Sequence, residues 1–145
     1  DNLVRLLVEN GFLYDSSMMA DVNPYRLTTG RLTTGGPTTG GDGPVIVELP
    51  WHWSLDDAPY FLFSIRTPRP IFTNDHVFAV WQEEFREIHR WGGLFDLVMH
   101  PQFIGRPSRL ALLRRMIGFV RTFPDVWFAT GSAIAEAWLA QAPKA

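Results

Sequence analysis

Apolar and polar positions change period several times along this chain, and each change marks an element. Leu3, Leu6 and Leu7, with Val4 beside them, recur at helical spacing, and Asn10-Gly11 supplies a left-handed stop. FLYDSS, residues 12–17, predicts a short strand running into a polar turn. VIVELPW, residues 45–51, has the β-branched content of a strand and is closed by Pro50, and SLDDAPYF after it reads as a turn-rich loop. Residues 73–91 predict a helix with Val77, Trp81, Phe85 and Ile88 on one stripe and Glu83, Glu84, Glu87 and Arg90 off it. Thr73, Asn74 or Asp75 can cap that helix, and WGG ends it. LFDLVM, residues 94–99, predicts a buried strand, and Ser108 then caps a helix whose Leu110, Leu113, Ile117 and Val120 form a second stripe. VWFAT, residues 126–130, predicts a strand, and GSAIAEAWLAQ, residues 131–141, a last helix.

Strands alternating with helices point to parallel pairing, hence to an α/β fold, either a barrel or a doubly wound sheet. Such folds place reactive groups at the carboxyl ends of strands. Three places qualify: Asp15-Ser16-Ser17, the stretch from His52 to Asp57, and His100. One segment breaks the pattern. RLTTG occurs twice in succession from Arg26, followed by the degenerate copy GPTTG. A period of five is too short for a solenoid, and no Gly-Lys-Ser/Thr follows to make a phosphate cradle. The composition predicts a surface insertion at about residues 28–43.

Composition adds mainly exclusions. With 145 residues, 46% hydrophobic content, 6 Trp and 11 Phe, the chain can build one packed core. It has no cysteine, which removes disulfides, thiolate ligands and a thiol nucleophile. A net charge of −2 gives no electrostatic footprint for nucleic acid or an anionic membrane. The first residues lack a signal-peptide layout and begin inside a helix pattern, which predicts a piece of a longer polypeptide, with bacterial cytoplasm as the expected compartment.

Among the candidates for chemistry, His100 ends a strand just before Pro101, where an α/β barrel puts its reactive groups, although a histidine there can also simply cap a carbonyl. His52 lies between Trp51 and Trp53 and precedes Asp56 and Asp57. Tryptophan faces suit flat apolar surfaces and sugar rings, and an aspartate can orient an imidazole and raise its pKa. The plainer alternative is an aromatic-lined loop with solvated carboxylates. His76 and His89 are thirteen apart on one helix, not the spacing of a ligand pair, so both read as boundary residues. The arginines at 106, 109, 114, 115 and 121 read as a solvated helix face. A metal site from His52, Asp56 or Asp57, and His100 has no supporting motif such as H-E-x-x-H.

GFLYDSSMMADVNPY, VELPWHWSLDDAPYF, and HPQFIGRPSRL with VWFATG downstream resemble the polysaccharide deacetylases of the NodB-homology group, in the branch with peptidoglycan deacetylase-like and allantoinase-like proteins. The resemblance implies the C-terminal half of a distorted (β/α) barrel, spanning residues 1–145 around the insertion. It implies hydrolysis of an N-acetyl group or related amide on a polysaccharide or peptidoglycan, with a divalent metal, zinc, in the complete domain. The metal ligands, the catalytic base and its supporting arginine are expected in the N-terminal half, so no metal residue is expected here and this chain alone is expected to be inactive and to hold no metal tightly. His100 matches the general acid, Asp56 or Asp57 the acidic group that tunes it, and Trp53 a groove-wall aromatic; Trp51, His52 and Tyr60 complete the expected substrate surface. An N-acetylated glycan is the expected partner, with no nucleic acid and no membrane. A half-barrel should also form a homo-oligomer or associate with its missing half. The alternatives are an allantoinase-like cyclic-amide hydrolase and a non-catalytic half-barrel that binds glycan or a partner chain.

Overall fold

The computed structural model describes residues 2–28, 45–66 and 68–141. The insertion expected at 28–43 lies outside them apart from Thr28. The chain divides into two compact units, one made of Asp1–Pro50 with Phe128–Ala145 and the other of Trp51–Trp127. Helix and sheet are mixed, in keeping with an α/β fold. Among the described residues, no helix is long and apolar enough to cross a membrane.

The first unit is built on a three-stranded sheet in the order β1-β3-β2, with β1 at Tyr14–Asp15, β2 at Tyr25–Thr28 and β3 at Val45–Glu48. Ile46, Val47 and Glu48 of the central strand are buried. β1 pairs with β3 in parallel, Tyr14 opposite Val47 and Asp15 opposite Glu48. β2 pairs with β3 antiparallel, from Tyr25 opposite Glu48 to Thr28 opposite Val45. The expectation of parallel pairing throughout is therefore corrected, and the first RLT of the repeat belongs to the sheet. Tyr25, 8% exposed, anchors that strand, so its burial outweighs the loop-like composition that follows. Helix α1, Asn2–Glu9, buries Val4, while Leu3 and Leu6 of the expected stripe are exposed. Helix α6, Gly131–Gln141, buries Ala135. VWFAT forms no strand: it has no ladder partner among the described residues, and Trp127 and Phe128 are exposed.

The second unit packs α3, Asn74–Trp91, against α5, Pro107–Val120. The Thr73 hydroxyl caps α3 by accepting from the His76 N–H at 3.3 Å, and Gly92 ends it in the left-handed region at φ 72°. Val77, Trp81, Phe85 and Ile88 are buried as their spacing predicts, with Phe78 added. The stripe on α5 differs from expectation. Leu112, Met116 and Val120 are buried, whereas Leu110 and Ile117 are exposed. Apolar residues lie on nearly every side of this helix, so spacing alone allows two stripes; packing on α3 selects one. Arg106, not Ser108, stands at the cap position, because Pro107 already occupies the first turn, where its missing N–H costs nothing. Arg109, half-buried, lies 3.9 Å over the Phe61 ring and so belongs to the packing between helices, whereas Arg115 lies 3.7 Å over Phe78 but stays exposed on the solvated face.

Residues 94–99 make no full strand and are only half-buried. Among the described residues, their single ladder contact is a parallel bridge between Val98 and Asp56. A 3₁₀ turn at Trp53–Leu55 and the short helices α2, Ala58–Phe61, and α4, Pro101–Ile104, complete the unit.

Candidate functional site

The bridge is short but sufficient to place three side chains. The Val98 N–H donates to the Leu55 carbonyl at 2.8 Å, and the Asp57 N–H donates to the Val98 carbonyl at 3.2 Å. These two bonds bring Asp56 and Asp57 alongside the end of the Leu94–Met99 run, and His100 emerges two residues later. Asp56 accepts the Ala58 N–H on Oδ1 at 2.7 Å, which closes the turn into α2. Asp57 is fully buried. Its two oxygens accept the His100 backbone N–H at 3.1 and 3.0 Å, and Oδ1 also meets the His100 Nδ1 at 2.7 Å. Asp56 Oδ1 stands 3.5 Å from the same nitrogen.

A buried carboxylate that takes three contacts from one residue acts as acceptor in each. The proton of the neutral ring therefore belongs on His100 Nδ1, and Nε2 carries the free lone pair that takes up or releases the second proton. The bond to Asp57 raises the pKa of His100, burial opposes it, and the charges of Asp56 and Asp57 add to the rise. The His100 side chain is 38% exposed, so a second group can reach the ring. Pro101 begins α4 directly after it, and the His100 carbonyl accepts the Ile104 N–H at 3.0 Å. Phe103, which the sequence did not single out, lies with its ring centre 5.7 Å from the imidazole. The one signal for it was its place three residues beyond His100, one helical turn on.

The remaining expected residues sit in the loop before the carboxylates. Trp51 and Trp53 form an edge-to-face pair with centres 4.8 Å apart, and Trp53 is 55% exposed. The His52 Nδ1 lies 2.9 Å from the Ser54 hydroxyl and accepts the Ser54 N–H at 3.2 Å, so its ring braces the 3₁₀ turn. The Tyr60 hydroxyl donates to the Ser54 carbonyl at 2.9 Å, and its ring packs edge-on against Phe72 and Trp81. Burial is the main cause of its raised pKa. That bond and packing make Tyr60 a support of the loop. His76 stacks on Phe72 at 4.6 Å, and the His89 Nε2 lies 2.9 Å from the Pro124 carbonyl oxygen.

Asp56, Asp57 and His100 offer ligand atoms within 4.8 Å of one another, close enough for one cation to touch all three. Their hydrogen bonds fit a proton better than a metal. Nδ1 is the nitrogen that faces the carboxylates, and at 2.7 Å from Asp57 it holds a hydrogen, not a free lone pair. In the first unit, a cleft of about 570 Å³ is lined by Leu7, Asn10, Phe12, Tyr14, Asp15 and Ser132 among others. It takes in Asp15 and Ser16, the first of the three strand-end places, and none of His100, Asp56 and Asp57.

No protein-family model matches the chain. It is 27% identical over 156 residues to the peptidoglycan deacetylase of Helicobacter pylori, a match that takes in 97% of this chain and 53% of that protein. Its structure superposes with a TM-score of 0.80 on a protein of Mycobacterium smegmatis assigned as a polysaccharide deacetylase, at 38% identity over 94% of this chain and 44% of the other. The Puue allantoinase superposes with a TM-score of 0.74 at 27% identity, over 99% of this chain and 44% of that one. The resemblance drawn from the sequence motifs thus holds in sequence and in structure. The chain is a relative of the polysaccharide deacetylases and spans about half the length of the proteins it matches.

Proposed function

We propose that residues 1–145 form the acid-bearing half of an amide-hydrolysing domain that removes N-acetyl groups from a polysaccharide or peptidoglycan. The observation that carries this reading is the His100–Asp57 couple: an imidazole just after the Val98 bridge, bound through Nδ1 to a buried carboxylate and open on its other side. Amide hydrolysis expels a poor amine leaving group, which must be protonated as the tetrahedral intermediate collapses. His100, made more basic by Asp57, gives that proton from Nε2. Asp57 holds the ring's tautomer and direction, and Asp56 adds negative charge beside it. Trp51 and Trp53 supply an aromatic wall for a sugar ring, and His52 and Tyr60 keep its loop in place.

A divalent metal, zinc by resemblance, would activate the water and polarise the carbonyl, with its ligands in the part of the domain outside these residues. Nothing in the acid step requires a metal on His100. The half-domain pairs with its complement or with a second copy. Light scattering after size exclusion tests the pairing, and a stable, active monomer would count against it.

A second reading, hydrolysis of a cyclic amide, is favoured by the likeness to the allantoinase and uses the same proton delivery. A third, glycan binding without turnover, draws on the exposed Trp53. The discriminating experiment joins this chain to a complementary half-domain, supplies zinc, and measures acetate release from N-acetylglucosamine oligomers and peptidoglycan beside ring opening of a cyclic amide. Acetate release that falls about 100-fold or more in His100→Ala is the expected result. Ring opening alone selects the second reading and binding alone the third; unchanged turnover in His100→Ala removes the assignment of the acid.

A further inference from the structure

The sheet of the first unit carries a second carboxyl pair that the acid step does not use. Glu48, the last residue of β3, is fully buried. Its Oε1 accepts the backbone N–H groups of Ser17 at 2.8 Å and Met18 at 2.7 Å. Its Oε2 is buried with no hydrogen-bond partner among the described residues. Asp15 stands opposite in the parallel register, and in-register neighbours point to the same face of a sheet. The Asp15 Oδ2 accepts the Ser17 hydroxyl at 2.6 Å. Oε1 and Oδ2 are thus both acceptors. Two adjacent ionised carboxylates would repel, and the fully buried one loses most by ionising. A hydrogen on Oε2 turns the orphaned atom into a donor toward Asp15 and removes both costs.

We propose that Asp15 and Glu48 share one proton, carried on Glu48 Oε2, and that this pair is a proton-held latch fastening the Ser16–Met18 turn to the end of the sheet. The Ser16 hydroxyl adds a bond to the Leu49 carbonyl at 2.7 Å, so the turn spans the ends of β1 and β3. The surrounding charges favour the protonated form. Tyr25, opposite Glu48 on β2, has a buried hydroxyl, and Asp21 lies near it. On α1, Arg5 bonds to Glu9 at 3.2 Å; Arg26 of β2 lies over the Trp138 ring of α6, the helix that also carries Glu136. Burial first, then Asp15, raise the Glu48 pKa, against the two backbone bonds that lower it. An acid with a raised folded pKa contributes its full stabilisation below its ordinary value. It loses that contribution as pH rises through the folded value. The latch therefore opens with increasing pH.

Glu48→Gln keeps the acceptor for Ser17 and Met18 and presents a permanent N–H donor to Asp15. Relative to this variant, the melting temperature of the parent should fall as pH rises above the ordinary glutamate range, by about 3–5 °C for each tenfold difference in proton affinity between folded and unfolded chain. Amide exchange at Ser17 and Met18, corrected for its intrinsic pH dependence, should accelerate over the same range in the parent and stay flat in the variant. A direct reading comes from the ¹³C carboxyl shift of Glu48 in the unaltered protein, which should titrate above the ordinary glutamate range. Parallel stability profiles for parent and variant, or a Glu48 carboxyl titrating in the ordinary range, would overturn the latch.

Discussion

Asp57→Asn isolates the charge that holds His100. The parent carboxylate takes three contacts from His100, two from the main-chain N–H at 3.0 and 3.1 Å and one from Nδ1 at 2.7 Å. An asparagine keeps one acceptor oxygen and turns an amide NH₂ toward donors already in place. Hydrogen bonds to charged groups contribute about 1.5–3 kcal/mol, so the melting temperature should drop by roughly 3–12 °C for a chain of this size. The loss should depend on pH. The raised pKa of His100 means that its pairing stabilises in full below the ordinary histidine value of 6.5 and fades as pH rises through the folded value. The gap between parent and variant is therefore widest below pH 6.5 and narrows above it. Proton NMR of the imidazole Cε1–H, with His100 identified by its loss in His100→Gln, reads the same quantity directly. In Asp57→Asn the titration should move down, leaving only the weaker influence of Asp56 at 3.5 Å. A His100 titration that does not move when Asp57 is neutralised would refute the account of the couple.

Two further outcomes test the packing and the aromatic wall. Met116→Ala, at a position 1% exposed, should cost about 2–5 kcal/mol, whereas Ile117→Ala, 37% exposed, should stay within about 0.5 kcal/mol; equal losses in chemical denaturation would restore the stripe read from spacing. In the joined domain, Trp53→Ala should raise KM for a glycan oligomer while leaving kcat and the melting temperature nearly unchanged, and a large stability loss would mark Trp53 as part of the packing.

The α3 stripe was legible because its apolar residues occur on one side only and Thr73 and Gly92 mark its ends. The α5 stripe was not, since Leu110, Leu112, Leu113, Met116 and Ile117 surround that helix and only contact with α3 distinguishes them. The strands at 94–99 and 126–130 were misread for a related reason. Short apolar runs satisfy strand statistics, but a strand exists only where a neighbour supplies the ladder, and among the described residues these runs make one bridge, at Val98. β2 was missed because three of the four residues that pair with β3, Arg26, Leu27 and Thr28, open the glycine-rich repeat. At the site, the residue types and their neighbourhood could be read from WHWSLDD and His100. The choice of Asp57 over Asp56 as the close partner could not, because it depends on which carboxylate the bridge turns inward.

That choice carries a last consequence. Asp57 holds both the main chain and the ring of His100, so the backbone N–H that fixes where the residue sits and the imidazole that would move the proton answer to one carboxyl. Proline at 101 removes the next backbone donor and starts α4, leaving that carboxyl as the anchor between the Val98 bridge and the helix. Charge and position are thus separable by Asp57→Glu, which keeps the first and shifts the second. One added methylene moves the carboxyl by about 1.5 Å in a fully buried place. Both bonds to His100 cannot then keep their geometry, and a displacement near 1 Å can cost about 100-fold in rate. In the joined domain, Asp57→Glu should therefore leave the His100 titration raised, unlike Asp57→Asn, yet lose turnover on the order of 100-fold. Should it retain full turnover, the carboxylate would act on His100 through charge alone, and the bidentate hold would be structural rather than part of the proton delivery.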